Sequence, residues 1–216
     1  MRLVTRIVEA LWPPLALWRA NRVLMQQFEE YYEDNYAGYE RLVQERKRQI
    51  DNQGPDSDVL VCGIDEVFDT EARRMNILES KASWLLAAAG LSVTLLTVIP
   101  AFTSGSWALP CGVARIAGVL LAFAAGFHLV SAAYYAVRVF KVGAIFILTT
   151  YWVEQVIRAP RDARHIWAAN KFAAIEVNYK VMSMKSNSLS VAQDLFLRGL
   201  MQLTALSAYL VGLSIL

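Results

Sequence analysis

The chain has 216 residues, of which 56% are hydrophobic and 19% charged, and its mean hydropathy is +0.35. It is too apolar for an ordinary soluble domain of this length, yet it carries too many charges to lie wholly within a bilayer. The net charge of +2 gives no reason to expect direct nucleic-acid binding. The composition therefore indicates a few membrane spans joined to a polar cytosolic part.

Residues 1–64 are predicted to form an amphipathic helix in the cytosol or at the membrane interface, followed by a loop. Pro13 and Pro14 suit a helix start, and apolar side chains then recur at helical spacing, so residues 14–49 are predicted to form one long helix. The stretch 51–58 ("DNQGPDSD") is typical of a loop. The short apolar stretch 59–64 ("VLVCGI") fits either a buried strand-like connection or a packing segment.

Residues 65–138 are predicted to form a transmembrane helical hairpin. A helix is expected to begin near Asp65 or Asp69 and to continue into a first span at 82–103, which contains no charged residue. A second span is predicted at 116–137. Each run is long enough to cross roughly 30 Å of hydrocarbon at about 1.5 Å per residue.

Residues 139–163 are predicted to form an interfacial helix and a turn. A rival interpretation makes 142–153 a fourth span, but this apolar run has only about half of the required length. Residues 164–216 lack proline and are predicted to form one long helix, because apolar side chains alternate by three and four residues along it. Its end, at 200–216, is predicted to be a third span. The predicted fold is an all-α membrane protein in which three transmembrane helices extend into a cytosolic helical bundle.

Basic residues flank the predicted spans unevenly. Arg73, Arg74 and Lys81 precede the first span, many more follow the second, and the connection between these spans has none until Arg115. Positively charged flanking segments stay in the cytoplasm. The amino terminus and the segment 138–198 are therefore expected in the cytoplasm, and the carboxyl terminus outside.

Small residues recur four positions apart on the second and third predicted spans. In lipid there is little hydrophobic drive between helices, so they associate through close backbone approach at small residues. These stripes predict helix packing within the chain or, alternatively, between copies in a homo-oligomer. The predicted packing residues are Gly118, Ala122, Gly126, Thr204, Ala208 and Gly212.

Polar side chains near the spans give further candidate sites. His128 is a titratable group deep in a span, and a neutral histidine bonded to Ser131 or to a neighbouring helix is favoured over a proton relay. Lys81, Asp194 and Arg198 are predicted to form an interface charge cluster at the cytoplasmic mouth of the first and third spans. Interfacial snorkelling of these side chains is the alternative.

A basic, tryptophan-bearing stretch at 157–167 predicts contact with lipid headgroups, or alternatively a solvated turn. The arginines predicted to make this lipid-headgroup contact are Arg158, Arg161 and Arg164.

The sequence contains no recognisable catalytic, cofactor-binding or metal-binding pattern. It has no phosphate-binding glycine loop, no nucleophile elbow and no paired histidine or cysteine ligands. Cys62 and Cys111 fall on opposite sides of the predicted membrane, so no disulfide is expected. We therefore expect a protein that is not an enzyme and that uses no cofactor or metal.

Two stretches resemble a known group of proteins. "ESKASWLL" (79–86), which leads into the first span, resembles the corresponding helix of small bacterial anti-phage membrane effectors, the SLATT-like and Pycsar transmembrane proteins. The last long helix resembles the helix that follows the hairpin in those proteins. The positions that match its pattern are Asn170, Glu176, Lys180, Ala192, Phe196, Arg198 and Gly199.

This resemblance covers about 65–216 and implies an effector of the bacterial inner membrane. Such an effector oligomerises, or is released by a cytosolic sensor or enzyme partner or a nucleotide signal, and then perturbs the membrane. Two alternatives from other classes fit the same sequence. One is a non-conducting membrane anchor or scaffold that recruits a soluble enzyme, and the other is a housekeeping ion channel subunit.

Overall fold

The structure, a computed structural model, describes residues 12–29, 37–54, 57–103, 113–141, 156–157, 159 and 162–215. Among these, side chains are described except at 25, 27–29, 37, 97–103, 113–115 and 213–215. The described residues form five long helices and no strand. In chain order they are α1 (Pro13–Glu29), α2 (Ala37–Asp51), α3 (Ser57–Thr103), α4 (Val113–Lys141) and α5 (Ala163–Ile215).

The amino-terminal part contains two described helices, α1 and α2, where the sequence predicted one continuous helix. Residues 30–36, between them, lie outside the described part of the chain. α2 ends in a turn in which Gly54 has a φ of 59°, a left-handed conformation that glycine adopts at little cost. The loop predicted at 51–58 is therefore confined to a few residues.

α3 begins at Ser57, earlier than the predicted start near Asp65 or Asp69. The apolar stretch 59–64 is consequently helical, and the strand-like interpretation was wrong. Its apolar residues show helical spacing, because Val61 and Ile64 are buried while the intervening pair is exposed. Asp58 in the first turn adds a favourable interaction with the positive end of the helix dipole.

The chain divides into two units. The apolar unit comprises the described residues of Met1–Leu17, Leu78–Lys141 and Ser186–Leu216. The polar unit comprises the described residues of Trp18–Ile77 and Val142–Lys185. α5 runs without a break from Ala163 to Ile215, close to the interval predicted for one long helix, and it contributes residues to both units.

The core of the polar unit joins α2, the beginning of α3 and the first half of α5. Three buried alanines on α5 present little side-chain bulk, which lets larger residues of α2 and α3 pack close to its backbone. The core residues are Tyr39, Leu42, Val43, Ile50, Val61, Ile64, Ala168, Ala169, Ala173 and Val177.

One buried hydrogen bond links α2 to α5 within this core. The Tyr39 hydroxyl donates to the backbone carbonyl oxygen of Asn170 at 3.2 Å. The fully buried Asn170 in turn donates from Nδ2 to the carbonyl oxygen of Ile166 at 2.9 Å. Burial raises the pKa of the Tyr39 hydroxyl, because the phenolate is poorly solvated there.

The core of the apolar unit consists of two small clusters. The first joins α3, α4 and α5 through the buried residues Ala82, Val139 and Leu189. The second joins α1 to α4 and α5. Its buried residues are Leu17, Ala132, Val191 and Leu195, with Trp12, Tyr135 and Phe196 packed against them.

Two helices in the described part of the chain are long and apolar enough to cross a membrane, at Ile116–Lys141 and Ala163–Gly212. The sequence predicted three spans. The span predicted at 82–103 lies in α3, and its side chains beyond Leu96 are outside those described. The α3 backbone is helical as far as Thr103, so 82–103 is about 33 Å long at 1.5 Å per residue, close to the roughly 30 Å of hydrocarbon. It is not among the two helices of the described part that qualify on length and apolarity together.

We expect Tyr39→Phe to change how stability depends on alkaline pH. The folded protein keeps the Tyr39 phenol neutral, whereas the tyrosine of the unfolded chain ionises above pH about 10. The contribution of Tyr39 to stability is therefore fully present below pH about 10 and is lost as the pH rises further. Tyr39→Phe should lose up to about 1 kcal/mol at neutral pH, with its hydrogen bond, and should lose less additional stability above pH about 10 than the unsubstituted protein.

Denaturant unfolding in detergent micelles across this pH range measures both effects. Tyr179→Phe is the matched control, because Tyr179 is 62% exposed and belongs to the same unit. The prediction would be contradicted if the free energy of unfolding fell equally with pH above about 10 in the two variants.

Candidate membrane-facing surface

α4 carries its large apolar side chains on the outside. Its inward positions are mostly small, and they recur by three and four residues, so they form one face of the helix. The inward residues, each 0% exposed, are Ala125, Leu129, Ala132, Ala136 and Val139. The outward residues are Ile116, Val119, Leu120, Phe123, Phe127, Val130, Tyr134 and Phe140. Such a contiguous apolar face is unfavourable in water and typical of a helix surrounded by lipid.

α3 and α5 extend this exposed apolar surface within the apolar unit. On α3, Leu91 and Leu95 are exposed, and on α5 Leu197, Met201 and Val211 are. Trp84 of α3 is 76% exposed. It follows Ala82 by two residues, and Ala82 packs in one cluster with Val139 of α4.

The aromatic residues near one end of this surface suit a membrane–water interface. Trp84 on α3 and Tyr134 on α4 are both more than half exposed. Tryptophan and tyrosine are enriched at the headgroup level, where one side of the ring is apolar and the other is wet. Beyond them, the last turn of α4 carries Arg138 and Lys141.

The two predicted small-residue stripes have different surroundings. On α4, Gly118 is buried, Ala122 and Gly126 are half-buried, and a methyl group at Gly126 would lie 3.1 Å from Cδ2 of Leu96. This stripe therefore contacts α3 at Gly126.

The stripe on α5 is uncovered within the described chain. Thr204, Ala208 and Gly212 are all exposed, and no described atom would come within 4 Å of a methyl group at Gly212. The Thr204 hydroxyl donates to the carbonyl oxygen of Leu200 in its own helix at 2.9 Å. Packing among the described residues does not account for this stripe.

α4 packs tightly against α5 at Gly199, which the small-residue stripes did not include. A methyl group at Gly199 would lie 2.7 Å from Cγ of Leu129, 2.8 Å from its Cδ2 and 3.3 Å from its backbone nitrogen. A signal for this contact was present in the sequence, because Gly199 is the first glycine of α5 and none occurs between residues 163 and 198.

The predicted charge cluster is reduced to a pair. Nη2 of Arg198 lies 3.0 Å from Oδ2 of Asp194, one helical turn earlier, which fits the direction in which helical side chains point. Lys81 is exposed and forms no ion pair with Asp194 among the described residues. Its neighbour Ala82 packs at the level of Leu189, five residues or about 7.5 Å along α5 before Asp194.

His128 contacts its own helix. Its Nδ1 lies 2.8 Å from the carbonyl oxygen of Ala124, and because a carbonyl only accepts, this nitrogen carries the proton. The predicted partners were Ser131 or a neighbouring helix, so the partner was wrong.

Of the three predicted headgroup-contacting arginines, Arg158 and Arg161 lie outside the described residues. Arg164 forms an ion pair with Asp58, Nη1 to Oδ1, at 2.5 Å. It belongs to a series of ion pairs in the polar unit that join α5, or residues just before it, to α2 and α3. The other pairs are Arg46–Glu176, Lys47–Asp162 and Lys171–Asp65. In addition, Nδ1 of His165 lies within hydrogen-bond distance, 2.8 Å, of Oδ1 of Asp51.

The described residues contain no group of three or more histidine, cysteine, aspartate or glutamate side chains placed to hold a metal ion. Cys62 is a free, exposed thiol, and Cys111 lies outside the described residues, as does the rival span 142–153. In comparisons with known proteins, no family model, curated protein or solved structure matches the chain.

We expect Gly199→Ala to destabilise the apolar unit and Gly90→Ala, on α3 of the same unit, to leave it unchanged or slightly more stable. The first substitution forces Leu129 and the α4 backbone to move, which costs roughly 1–3 kcal/mol, partly offset by the better helix propensity of alanine, about 1 kcal/mol. The second adds the same methyl group in open space. Thermal unfolding in detergent micelles compares the two, and equal midpoints would contradict the close packing at Gly199.

Proposed function

We propose that the chain is an integral membrane protein whose apolar unit lies in the bilayer and whose polar unit lies in the cytoplasm. The observation that supports this most directly is the inside-out arrangement of α4, with phenylalanines outward and alanines inward. Only 22% of the most apolar window of α4 and 17% of that of α5 is buried within the described chain. The core helix of a soluble protein would be mostly buried.

The orientation follows from charge. Arg138 and Lys141 end α4, and basic residues adjoining a span remain on the cytoplasmic side. The carboxyl end of α4 and the beginning of α5 are therefore cytoplasmic, and the far end of α5 is outside. This assignment keeps the ion-paired surface of the polar unit in water, where its charges are solvated.

We further propose that copies of the chain associate through α5. Thr204, Ala208 and Gly212 present a small-residue face that the described chain leaves open. A second helix can approach such a face closely, and close approach is what stabilises helix pairs in lipid. A few helices cannot enclose a water path, so membrane permeation by this protein requires several copies.

We infer that the protein acts as a membrane-perturbing effector of bacterial anti-phage defence, triggered from the cytoplasm by a sensor or nucleotide signal. The support for this step is the resemblance of 79–86 and of the last long helix to such effectors. The segment 79–86 occupies the part of α3 where the charged residues Glu79 and Lys81 give way to the apolar run. The inner membrane is the expected location.

Membrane integration is tested by Phe123→Asp. Phe123 is 74% exposed near the middle of α4, where an aspartate costs about 2.5–3.5 kcal/mol on insertion. We expect the variant to be lost from the alkali-resistant membrane fraction, or to be degraded. Val59→Asp is the matched control, because Val59 is 75% exposed in the polar unit. Similar fractionation of both variants would contradict the assignment.

The effector activity is tested in bacteria that express the protein with the products of its neighbouring genes. Phage infection should then depolarise the cells and reduce plaque formation, whereas cells with the Phe123→Asp variant should do neither. Protection without depolarisation would favour the scaffold alternative. Depolarisation without infection and without neighbouring genes would favour a constitutive channel.

A further inference from the structure

We propose that the first turns of α1, from Trp12 to Leu17, lie in the hydrocarbon of the bilayer beside α4, and that α1 leaves the membrane at Trp18. This inference rests on the proposed function, because it takes α4 as a membrane span. It assigns to the amino-terminal part a lipid-embedded surface, where the sequence predicted a cytosolic or interfacial helix.

The first step is a set of contacts between α1 and the spans. The rings of Trp12 and Phe127 stack with centroids 5.4 Å apart and planes 21° apart. Leu17, 4% exposed, packs in one cluster with Ala132 of α4 and Leu195 of α5. Trp12 contacts Phe127, and Leu17, five residues later, contacts Ala132, which is also five residues later. The start of α1 therefore runs parallel to α4.

The second step is depth. Phe127 precedes Tyr134 by seven residues and Lys141 by fourteen, which is about 10 Å and about 21 Å along the helix. If the interface lies at the level of Tyr134 and the basic residues beyond it, Phe127 is well inside the hydrocarbon. The stacked ring of Trp12 is then at the same depth.

The third step is the backbone of this helix start. A helix normally begins with four amide N–H groups that have no partner in the helix, and each unpaired group in lipid costs several kcal/mol. Here Pro13 and Pro14 have no N–H to satisfy. The Leu15 N–H donates to the carbonyl oxygen of Trp12 at 3.1 Å. Pro13, Pro14 and Leu15 therefore leave no unpaired N–H at this start, which lowers the cost of placing it in lipid.

The fourth step is the point of exit. The segment from Trp12 to Leu17 contains no charge, whereas Arg19 and Arg22 follow within the next turn or two. Trp18 is 61% exposed, and the guanidinium carbon of Arg22 lies 5.4 Å from its ring centroid. An exposed tryptophan followed by arginines suits the headgroup layer, where the cations meet lipid phosphates.

The experiment measures the reaction of single cysteines with a membrane-impermeant maleimide in inverted membrane vesicles, which expose the cytoplasmic face. The background carries Cys62→Ser and Cys111→Ser. Leu15→Cys tests the inserted turns, because Leu15 is 42% exposed and faces away from the chain's own core. Ala20→Cys tests the segment beyond Trp18. Phe123→Cys and Val59→Cys are the references for lipid and water.

We expect Leu15→Cys to react at least ten-fold more slowly than Ala20→Cys and to resemble Phe123→Cys. Fast reaction of Leu15→Cys with a protected Phe123→Cys would overturn the insertion of α1 and leave the proposed function intact. Fast reaction of Phe123→Cys, at the rate of Val59→Cys, would overturn the proposed function and this inference with it. Protection of Ala20→Cys would overturn the exit at Trp18.

A second measurement separates lipid from protein as the cause of protection. A nitroxide spin label on Leu15→Cys should collide more often with oxygen, which concentrates in hydrocarbon, than with a water-soluble nickel chelate. The same label on Ala20→Cys should show the reverse order. A label at position 15 that both reagents reach poorly would indicate burial in protein and would overturn the lipid-facing assignment.

Discussion

Leu129 occupies the space that the absent side chain of Gly199 leaves, and the packing of α4 against α5 depends on this contact. The neighbouring inward positions of α4 are mostly alanine, and Ala132 belongs to the cluster that contains Val191 and Leu195 of α5. In lipid, where burial of apolar surface gives little advantage over exposure, van der Waals contact at such positions supplies the stabilisation. The contacts of Leu17 with Ala132 and Leu195 bring the start of α1 into this arrangement.

The polar unit is held together by different interactions. Its core is apolar, but it also contains the hydrogen bond from Tyr39 to the Asn170 carbonyl. Around it, ion pairs such as Arg46–Glu176, at 2.6 Å with the arginine largely covered, join helices distant in sequence. The Arg46 guanidinium also lies 5.0 Å from the ring centroid of Phe172, a favourable cation–π geometry. In this unit, charge as well as shape thus determines which helices pack against each other.

The sequence predicted an all-helical chain and the extent of α5, because a long run without proline and with three–four spacing has few alternatives. It did not predict the start of α3, since a short apolar run looks alike in a strand and in a buried helix until its packing partner is known. The prediction that Lys81 joins the charge cluster of Asp194 and Arg198 was wrong for another reason. Charges mark where each helix meets water, but the axial offset between two helices is set by side-chain packing, here that of Ala82 with Leu189.

The inside-out construction of α4 also determines which substitutions the helix tolerates over evolutionary time. In a water-soluble helix the large core positions are restricted and the surface positions vary. With α4 placed in the bilayer as proposed, its large outward residues are interchangeable, because leucine, isoleucine and phenylalanine all meet fluid lipid chains. The positions at Ala125, Ala132 and Ala136 are the restricted ones, since each has room for a methyl group and little more. Divergence between related chains should therefore accumulate on the outward face, while the small residues stay fixed.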